Sequence, residues 1–454
     1  MKNTIILSLS KFFEKGIMFL FFVLLAHHFG KEKVGEFSYY FTTASILFVI
    51  FDLGGDFYQI REFTKKESLK IFQNIFLLKT VVAVFILVTA VLTHQHIYLL
   101  LLIGSFYLDS VISLFRSSLY KNGLYYQEAV LTIIEKSVLI AFVFFNIFRL
   151  NDIVLMYLAF IVAKLVYLLF ALNKFYRFRY LITLFKLFDL DNVKHYAFNS
   201  WSYVLNALLV VVFVQIDIIM LKQMGVSFDE IGVYSVAIKI YFTVVIFADI
   251  LFKQYYPKVS MYLHKNDTDG LKVFILKIQS LNVYTSVVLA CMTMLFAHEI
   301  IIFSFGSEFI EASKMLILFS VIIIFRFSMY TYTALLSSSN FNHLKLVTSL
   351  TCVVINIVLN YILIPDYGVY GSVLATIITE FVLVVMYKIS SFKIIFTNYL
   401  TIKEIIVLML TCAMMYFTYF YEIEIVYKFI VLCIVLLIIF YLKNKLKYIL
   451  SFNY

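Results

Sequence analysis

Charged side chains lie inside several long apolar stretches of this chain. On the first stretch, Lys11, Glu14 and Lys15 are spaced so that they share one stripe of a helix. A charge at the centre of a bilayer costs about 2.5–3.5 kcal/mol on insertion scales, so it usually faces a bundle interior or a water-filled cavity. Bases outnumber acids in the deepest set, which predicts an anionic ligand or water inside. That set comprises Lys11, Glu14, Lys15, Lys79, Lys239 and Arg326.

Other charges in the apolar stretches leave two interpretations open. One interpretation is a structural pair inside one helix bundle, and the other is a cavity lining. Both fit Asp109, and both fit the adjacent residues Glu135 and Lys136. Arg116 and Asp249 lie near predicted helix ends, from which we expect their side chains to snorkel to the membrane interface.

Patterns typical of enzymes are weak or missing. Residues 30–37, GKEKVGEF, have the glycine spacing of a phosphate-binding loop but lack its Lys-Ser/Thr pair. The four cysteines lie far apart with no CxxC spacing, so they suggest neither a metal site nor a disulfide framework. Neither a G-x-S-x-G nor an H-E-x-x-H motif occurs. The sequence therefore predicts no enzyme and no bound cofactor.

Long apolar helices must position these charges. The chain is 63% hydrophobic and 14% charged, whereas a soluble domain carries roughly 25% charged residues. A bilayer-spanning helix needs about 20 mostly apolar residues, and the predicted fold is an all-α integral membrane protein with about fourteen such helices. The predicted spans are 5–26, 36–56, 72–93, 97–118, 127–148, 153–173, 196–221, 231–252, 272–297, 312–336, 344–364, 367–388, 402–420 and 426–442.

Lysine and arginine alternate between the two sides of this predicted bundle. The loops on one side, with both termini, carry most of them, whereas the opposite loops carry only Lys31, Lys33, Arg149 and Lys222. The positive-inside rule then puts both termini in the cytoplasm. The net charge of +10 is therefore mainly a topology signal, and no nucleic-acid partner is expected.

Two segments, 29–52 and 224–249, read as copies of each other. Each has a helix exit ending in glycine, a second glycine, an aromatic residue followed by serine, and an apolar run that ends in aspartate. The copies begin the second and eighth predicted helices, so they run in the same direction and indicate a parallel repeat of two six-helix lobes. The predicted domains are an N-lobe (1–180), a C-lobe (195–390) and a final part (400–454) with helices thirteen and fourteen and a basic cytoplasmic tail.

Six segments spread over most of the chain carry a resemblance to a known family. They are FGKEKVGEFSYY at 29–40, DLGGDFYQIREFTKKE at 52–67, MGVSFDEIGVYSVAIKI at 224–240, YYPKVSMY at 255–262, FGSEFIEASKMLILFS at 305–320 and IPDYGVYGSVLATIITE at 364–380. In order and spacing the chain resembles the polysaccharide transporters of the multidrug/oligosaccharidyl-lipid/polysaccharide (MOP) exporter superfamily, in particular the O-antigen and capsule repeat-unit flippases.

This resemblance implies two six-helix lobes that form a V around a central cavity, plus two C-terminal helices. It also implies a flippase in the bacterial inner membrane. Such a protein moves an undecaprenyl-diphosphate-linked oligosaccharide from the cytoplasmic to the periplasmic leaflet by alternating access. The implied partners are this lipid-linked substrate and the bilayer, and a polymerase or chain-length complex is a further candidate partner of a monomeric protein.

The implied substrate is anionic, which assigns roles to the deep charges. Lysine and arginine would compensate a diphosphate and acidic sugars. The candidate substrate-binding residues are Lys11, Lys15, Lys79, Lys239 and Arg326. Coupling to protons or sodium would need a buried carboxylate, for which the candidates are Glu14, Asp109 and Glu380.

Three other functions compete with this interpretation. A lipid II flippase shares the implied architecture and a cationic interior, and the sequence separates it poorly. A drug/cation antiporter of the same superfamily would favour a net acidic cavity, whereas this one reads as basic. A membrane polysaccharide polymerase or ligase would be expected to present a sizeable periplasmic loop with catalytic basic residues, and the outer loops here are short.

Overall fold

The computed structural model describes residues 2–52, 59, 68–174 and 190–395, together with 413, 414, 418, 424, 426–433 and 435. The first helices are α1 (Lys2–Asp52), α2 (Ser68–Leu92), α3 (Ile97–Lys121), α4 (Tyr125–Phe145), which continues into a π-helical turn (Asn146–Leu150), and α5 (Ile153–Lys174). The later helices are α6 (Leu190–Gln223), α7 (Phe228–His264), α8 (Thr268–Leu295), α9 (Ala297–Phe305), α10 (Ala312–Ser337), α11 (Asn342–Tyr367) and α12 (Val369–Ser391).

The prediction of an all-helical, multi-pass membrane protein is confirmed. Ten of these helices are long and apolar enough to cross a membrane, and the described residues contain no strand. The first predicted span, 5–26, lies on the first half of α1, and residues 36–52 of the second span lie on its second half. Residues 53–56 of that span lie outside the described residues. Almost all of the predicted span 402–420, and the end of the span 426–442, lie outside the described residues. The count of fourteen therefore stays a prediction.

Two glycines end helices where the sequence predicts helix exits. Gly30 has a φ of 74° and divides α1 into residues 2–29 and 31–52, and Gly225 has a φ of 85° between α6 and α7. A side chain is disfavoured in this left-handed region, which is why glycine so often follows a helix. Helix α7 then begins with a capping box in which Ser227 and Glu230 satisfy each other's backbone N–H groups. Both copies of the predicted repeat thus open on the same kind of break.

The chain divides into two compact units, Met1–Ile219 and Met220–Tyr454, called here the N-unit and the C-unit. The division falls inside α6, later than the predicted start of the C-lobe at residue 195. The first part of α6 belongs to the N-unit because Tyr196 packs in one core cluster with residues of α2 and α3. Ser45 on α1 also donates a hydrogen bond of 2.6 Å to Gln215 on α6.

Aromatic packing fixes α1 in the N-unit. Helix α1 packs against α3 and α4, and both of these pack against α5. Phe21 and Phe37, one on each half of α1, are buried with Tyr157 and Phe160 of α5. The ring centroids of Phe37 and Tyr157 are 5.1 Å apart, and those of Phe21 and Phe160 are 4.9 Å apart, within the range for favourable aromatic pairs. This core sets the charged stripe of α1 beside α3 and α4.

Helix α10 is the central element of the C-unit. It packs against α7, α8 and α12, and most of its side chains are buried. The helical residues 426–433 also belong to this unit, since Lys428 donates a hydrogen bond of 2.7 Å to Glu299 and the rings of Phe296 and Phe429 lie 5.1 Å apart. Glu299 lies on the short helix α9, in a stretch between two predicted spans where the sequence predicts a loop.

Candidate functional site

Lys79 and Asp52 form a buried ion pair in the N-unit. The Lys79 side chain is fully buried, and its Nζ lies 2.8 Å from Asp52 Oδ1. The same ammonium group donates to the Ser110 carbonyl and to the Ser113 hydroxyl, each at 2.9 Å. The pair therefore joins α1, α2 and α3, and three acceptors match the three N–H donors of a lysine. Direct substrate contact by Lys79, as predicted, would require this pair to open.

Glu14 is shared between two lysines from different helices. One of its carboxylate oxygens accepts a hydrogen bond of 3.0 Å from Lys11, one turn away on α1. The other oxygen lies 3.7 Å from the ammonium group of Lys136 on α4, and Lys136 also donates to Glu135 at 2.6 Å. The predicted stripe on α1 is thus tied to α4 through charge pairs.

Glu128 is a buried carboxylate that is not among the residues predicted from the sequence. Its Oε1 accepts hydrogen bonds from Arg116 Nε at 3.1 Å and from Thr132 Oγ1 at 3.0 Å, and Lys11 Nζ lies 3.8 Å away. The expectation that Arg116 snorkels to the interface is wrong, because its guanidinium turns inward to this carboxylate. Glu128 stands where a predicted span begins, and a charge at such a boundary gives no sequence signal of burial.

A second pair joins α3 and α5. Asp109 contacts Lys164 directly, and Lys164 also donates to the Ser105 hydroxyl at 2.7 Å and to the Ser105 carbonyl at 3.2 Å. The Lys164 ammonium lies 5.2 Å from the ring centroid of Phe106, a distance suited to a cation–π interaction. Of the two interpretations left open for Asp109, the structure places it in a structural pair.

The deep charges of α1 to α5 are largely balanced. Lys11, Arg116 and Lys136 contact an equal number of carboxylates, and the pairs formed by Lys79 and Lys164 are each neutral. We call the first set the N-unit charge network; its members are Lys11, Glu14, Arg116, Glu128, Glu135 and Lys136.

Lys15 differs from every lysine in these pairs. It directly follows Glu14 on α1, its side chain is exposed, and it has no carboxylate partner among the described residues. It lies about midway between Lys2, where α1 begins, and the break at Gly30. The sequence predicted an excess of deep positive charge, and in the described part of α1 to α5 that excess is the ammonium group of Lys15.

The C-unit has a simpler charge pattern. Arg326 on α10 forms an ion pair with Glu380 on α12, whose side chain is 1% exposed. Tyr330 donates a hydrogen bond to Asp249 on α7, so Asp249 does not reach for the membrane interface as expected. Lys239, also on α7, is half-buried. Arg326 and Glu380 are thus two predicted site residues, from different predicted roles, that the structure brings together.

Solved membrane proteins share this multi-pass helical fold with paired charges inside its spans. The lipid II flippase MurJ in an inward closed conformation superposes with a TM-score of 0.75 at 15% identity, covering 97% of this chain and 99% of that one. The family model for polysaccharide biosynthesis proteins matches residues 1–263. The chain therefore belongs to the polysaccharide biosynthesis protein family.

Two further solved transporters show the same fold. An inward-facing multidrug resistance MATE transporter of the MOP superfamily superposes with a TM-score of 0.66 at 12% identity, covering 84% of this chain and 94% of that one. A MOP superfamily transporter from Pyrococcus furiosus gives a TM-score of 0.60 at 13% identity, covering 87% and 97%. At these identities the likeness shows the fold alone. No curated protein sequence matches the chain.

Proposed function

We propose that this protein is a flippase for a lipid-linked oligosaccharide. In this proposal the substrate is an undecaprenyl-diphosphate-linked O-antigen or capsule repeat unit, which passes from the cytoplasmic to the periplasmic leaflet by alternating access. The observation that carries the proposal is Lys15, a cation within an apolar helix that has no carboxylate partner among the described residues. Such a charge is costly in lipid, so it must face water or an anion. A diphosphate is an anion of the required kind.

The N-unit charge network supports the same function. Its cations are held in place by carboxylates and are therefore pre-oriented before any ligand arrives. Lys11 lies 3.0 Å from Glu14 and 3.8 Å from Glu128, so its ammonium group sits between two acceptors, and its side chain is 38% exposed. A phosphate oxygen could replace one of these acceptors without leaving a cation unpaired. The network would then bind an anion at little cost in desolvation.

Membership of the polysaccharide biosynthesis protein family favours this substrate class over a cationic drug. In the network the described carboxylates already contact lysine or arginine, which leaves little negative charge for a cationic ligand. Lipid II stays the second candidate because the lipid II flippase shares the fold over nearly the whole chain. Both candidates carry a lipid-linked diphosphate, and they differ in the attached sugars. A polymerase or ligase activity is the least supported, since the fold neighbours are transporters.

Location and coupling are part of the proposal. The protein would lie in the bacterial inner membrane with both termini in the cytoplasm, act as a monomer, and serve a polymerase or chain-length complex. Coupling to protons or sodium would act on Glu14, Asp109 or Glu380. Each of these carboxylates contacts a lysine or arginine, so a coupling ion would compete with that partner.

The decisive experiment is a clean deletion of the gene, complemented from a plasmid. We expect the deletion strain to lose its surface polysaccharide and to retain undecaprenyl-linked repeat units on the cytoplasmic leaflet. The leaflet is assigned by comparing access of a membrane-impermeant reagent to lipid-linked sugars in spheroplasts and in inverted vesicles. Normal surface polymer in a strain without a second exporter would refute the proposal.

The same strain separates the two candidate substrates. Loss of lipid II flipping kills growing cells, whereas loss of a surface polymer is expected to leave them viable. If the deletion blocks access to lipid II in spheroplasts and leaves the surface polymer intact, lipid II is the substrate. A repeat-unit flippase gives the reverse pattern.

A further inference from the structure

A groove between α7 and α8 of the C-unit combines an apolar floor with unpaired lysines. Its volume is about 280 Å³. The lining includes Leu251, Lys258, Phe274, Lys277, Ile278 and Leu281. We propose that this groove binds an anionic phospholipid of the surrounding membrane, with the phosphate between the two lysines and the upper acyl chains on the apolar floor.

The charge of the groove selects an anion. Lys258 and Lys277 are exposed, neither forms an ion pair in the described structure, and no carboxylate belongs to the groove lining in the part of the chain described. The Lys258 ammonium lies 5.9 Å from the ring centroid of Phe274, which holds it over the apolar floor. A nearby pair of lysines without counter-charge attracts the phosphate of a lipid head group.

The depth of the groove matches the head-group region. Helix α7 has 37 residues and is therefore about 55 Å long at about 1.5 Å per residue, well beyond the roughly 30 Å hydrocarbon core. If α7 enters the core near its start, the core ends about 20 residues later, so Leu251 lies close to that end and Lys258 lies beyond it, on the head-group side. Lys277 stands about 27 Å from Leu295 at the other end of α8, which puts it at the same boundary. Apolar residues below two cations at this depth are the composition that a phospholipid fits.

The floor beneath the lysines is apolar and firmly held. Tyr255 lines the groove but is buried, and its hydroxyl accepts a hydrogen bond of 3.3 Å from Asn282. Asn282 in turn donates to the Phe327 carbonyl and to the Thr331 hydroxyl of α10. The groove therefore keeps its shape through contacts with the central helix, and the lysines supply its exposed polar edge.

Native mass spectrometry of the full chain, purified in detergent, tests this site with phosphatidylglycerol as the probe. The double variant Lys258→Ser, Lys277→Ser should bind phosphatidylglycerol about tenfold more weakly than the natural chain. Lys253 and Lys272 lie on the same two helices, are exposed and do not line the groove. The matched control Lys253→Ser, Lys272→Ser removes the same charge and should change the affinity less than twofold.

Two further arms define the ligand. Phosphatidylcholine has the same chains without net charge, so its binding should be unaffected by either double variant. Inorganic phosphate at millimolar concentration should not displace phosphatidylglycerol, because it lacks the acyl chains. An equal loss in both double variants would overturn the site, since it would report net charge alone. Unchanged binding in the groove variant, or full displacement by inorganic phosphate, would overturn it as well.

Discussion

Asp52 in the N-unit and Asp249 in the C-unit stand at the same position of the sequence repeat, yet their surroundings differ. Asp52 is paired with the ammonium group of Lys79, inside a site that is closed to solvent. Asp249 accepts a hydrogen bond from the phenol of Tyr330 and is only half-buried. The two copies share the carboxylate at the end of the predicted apolar run, but its partner is a cation in the first copy and a neutral donor in the second.

The difference extends to the rest of each unit. Thr42 is buried in the first copy, whereas the aligned Lys239 is half-buried in the second. The N-unit holds most of its described deep charges in a network across α1, α3 and α4, whereas the described residues of the C-unit form one deep ion pair, between Arg326 and Glu380. The two copies of the predicted repeat thus share helices that follow a glycine break, and they differ in their charge chemistry.

The largest effect is expected from Lys79→Met, which leaves Asp52 buried without its cation. Removing one partner of a buried pair typically costs about 3–5 kcal/mol. The free energy of unfolding, measured by denaturant titration of the purified protein in detergent, should fall by this amount. The double variant Asp52→Leu, Lys79→Met removes both charges and should recover most of it. If the single variant unfolds like the natural protein, the pair does not stabilise the N-unit.

The corresponding change in the C-unit, Tyr330→Phe, should have a smaller effect. It removes a hydrogen bond to Asp249, and the half-buried carboxylate can turn to water in its place. We expect a loss of about 1–2 kcal/mol in the free energy of unfolding, measured in the same titration. A cost equal to that of Lys79→Met would show that the two copies are energetically alike and would break the comparison.

These two aspartates also show what the sequence could and could not predict. The repeat, the helix exits at Gly30 and Gly225 and the spans of α2 to α8 follow from glycine placement and apolar runs, which are local signals. The partner of Asp52 lies on another helix, and no spacing rule connects the two residues. The sequence therefore identified deep charges and could not tell a cavity lining from an internal pair.

The N-unit charge network makes the same point for the candidate site. The i, i+3 spacing of Lys11 and Glu14 predicted their shared face, and the structure joins them. Glu128 and Lys136 come from α4, so their approach depends on how α1 packs on α4. Phe21 and Phe37 pack α1 on α5, which α4 also contacts. A hydropathy pattern does not encode the shapes of such side chains.

Two charged groups outside the predicted spans, Lys33 and Glu299, should separate the units by pH. In the N-unit, a hydrogen bond to Glu36 raises the pKa of Lys33 above its ordinary value of 10.5. In the C-unit, burial opposes the shift, but the hydrogen bond from Lys428 outweighs it and lowers the pKa of Glu299 below 4.5. The Lys33 contribution is therefore complete below pH 10.5 and is lost as the pH rises through the raised value.

The Glu299 contribution has the opposite sign, being complete above pH 4.5 and lost as the pH falls through the lowered value. In each pair one side chain is about a third exposed, so each should contribute only about 1 kcal/mol. Thermal unfolding of the purified protein followed between pH 3.5 and 11 provides the measurement. Glu299→Gln should remove only the acid-side change, and Glu36→Gln only the alkaline-side change. If Glu299→Gln altered the alkaline-side change, or Glu36→Gln the acid-side change, the assignment of these pairs would be contradicted.

The smallest effect on stability is expected from Lys15→Ala, and it is the most informative about function. Lys15 is exposed and has no carboxylate partner among the described residues, so its loss should change the free energy of unfolding by less than about 0.5 kcal/mol. Export of surface polysaccharide should nevertheless fall at least tenfold at equal protein level, because the proposed contact with the diphosphate is lost.

The variant Lys15→Arg keeps the charge and should retain most of the export. The matched change in the C-unit, Lys239→Ala, compares the two copies. An equal loss of export would mean that export needs a cation in each unit, and a smaller loss would mean that it depends mainly on the N-unit. Full export by Lys15→Ala would remove Lys15 from the binding site and leave the balanced network as the remaining candidate.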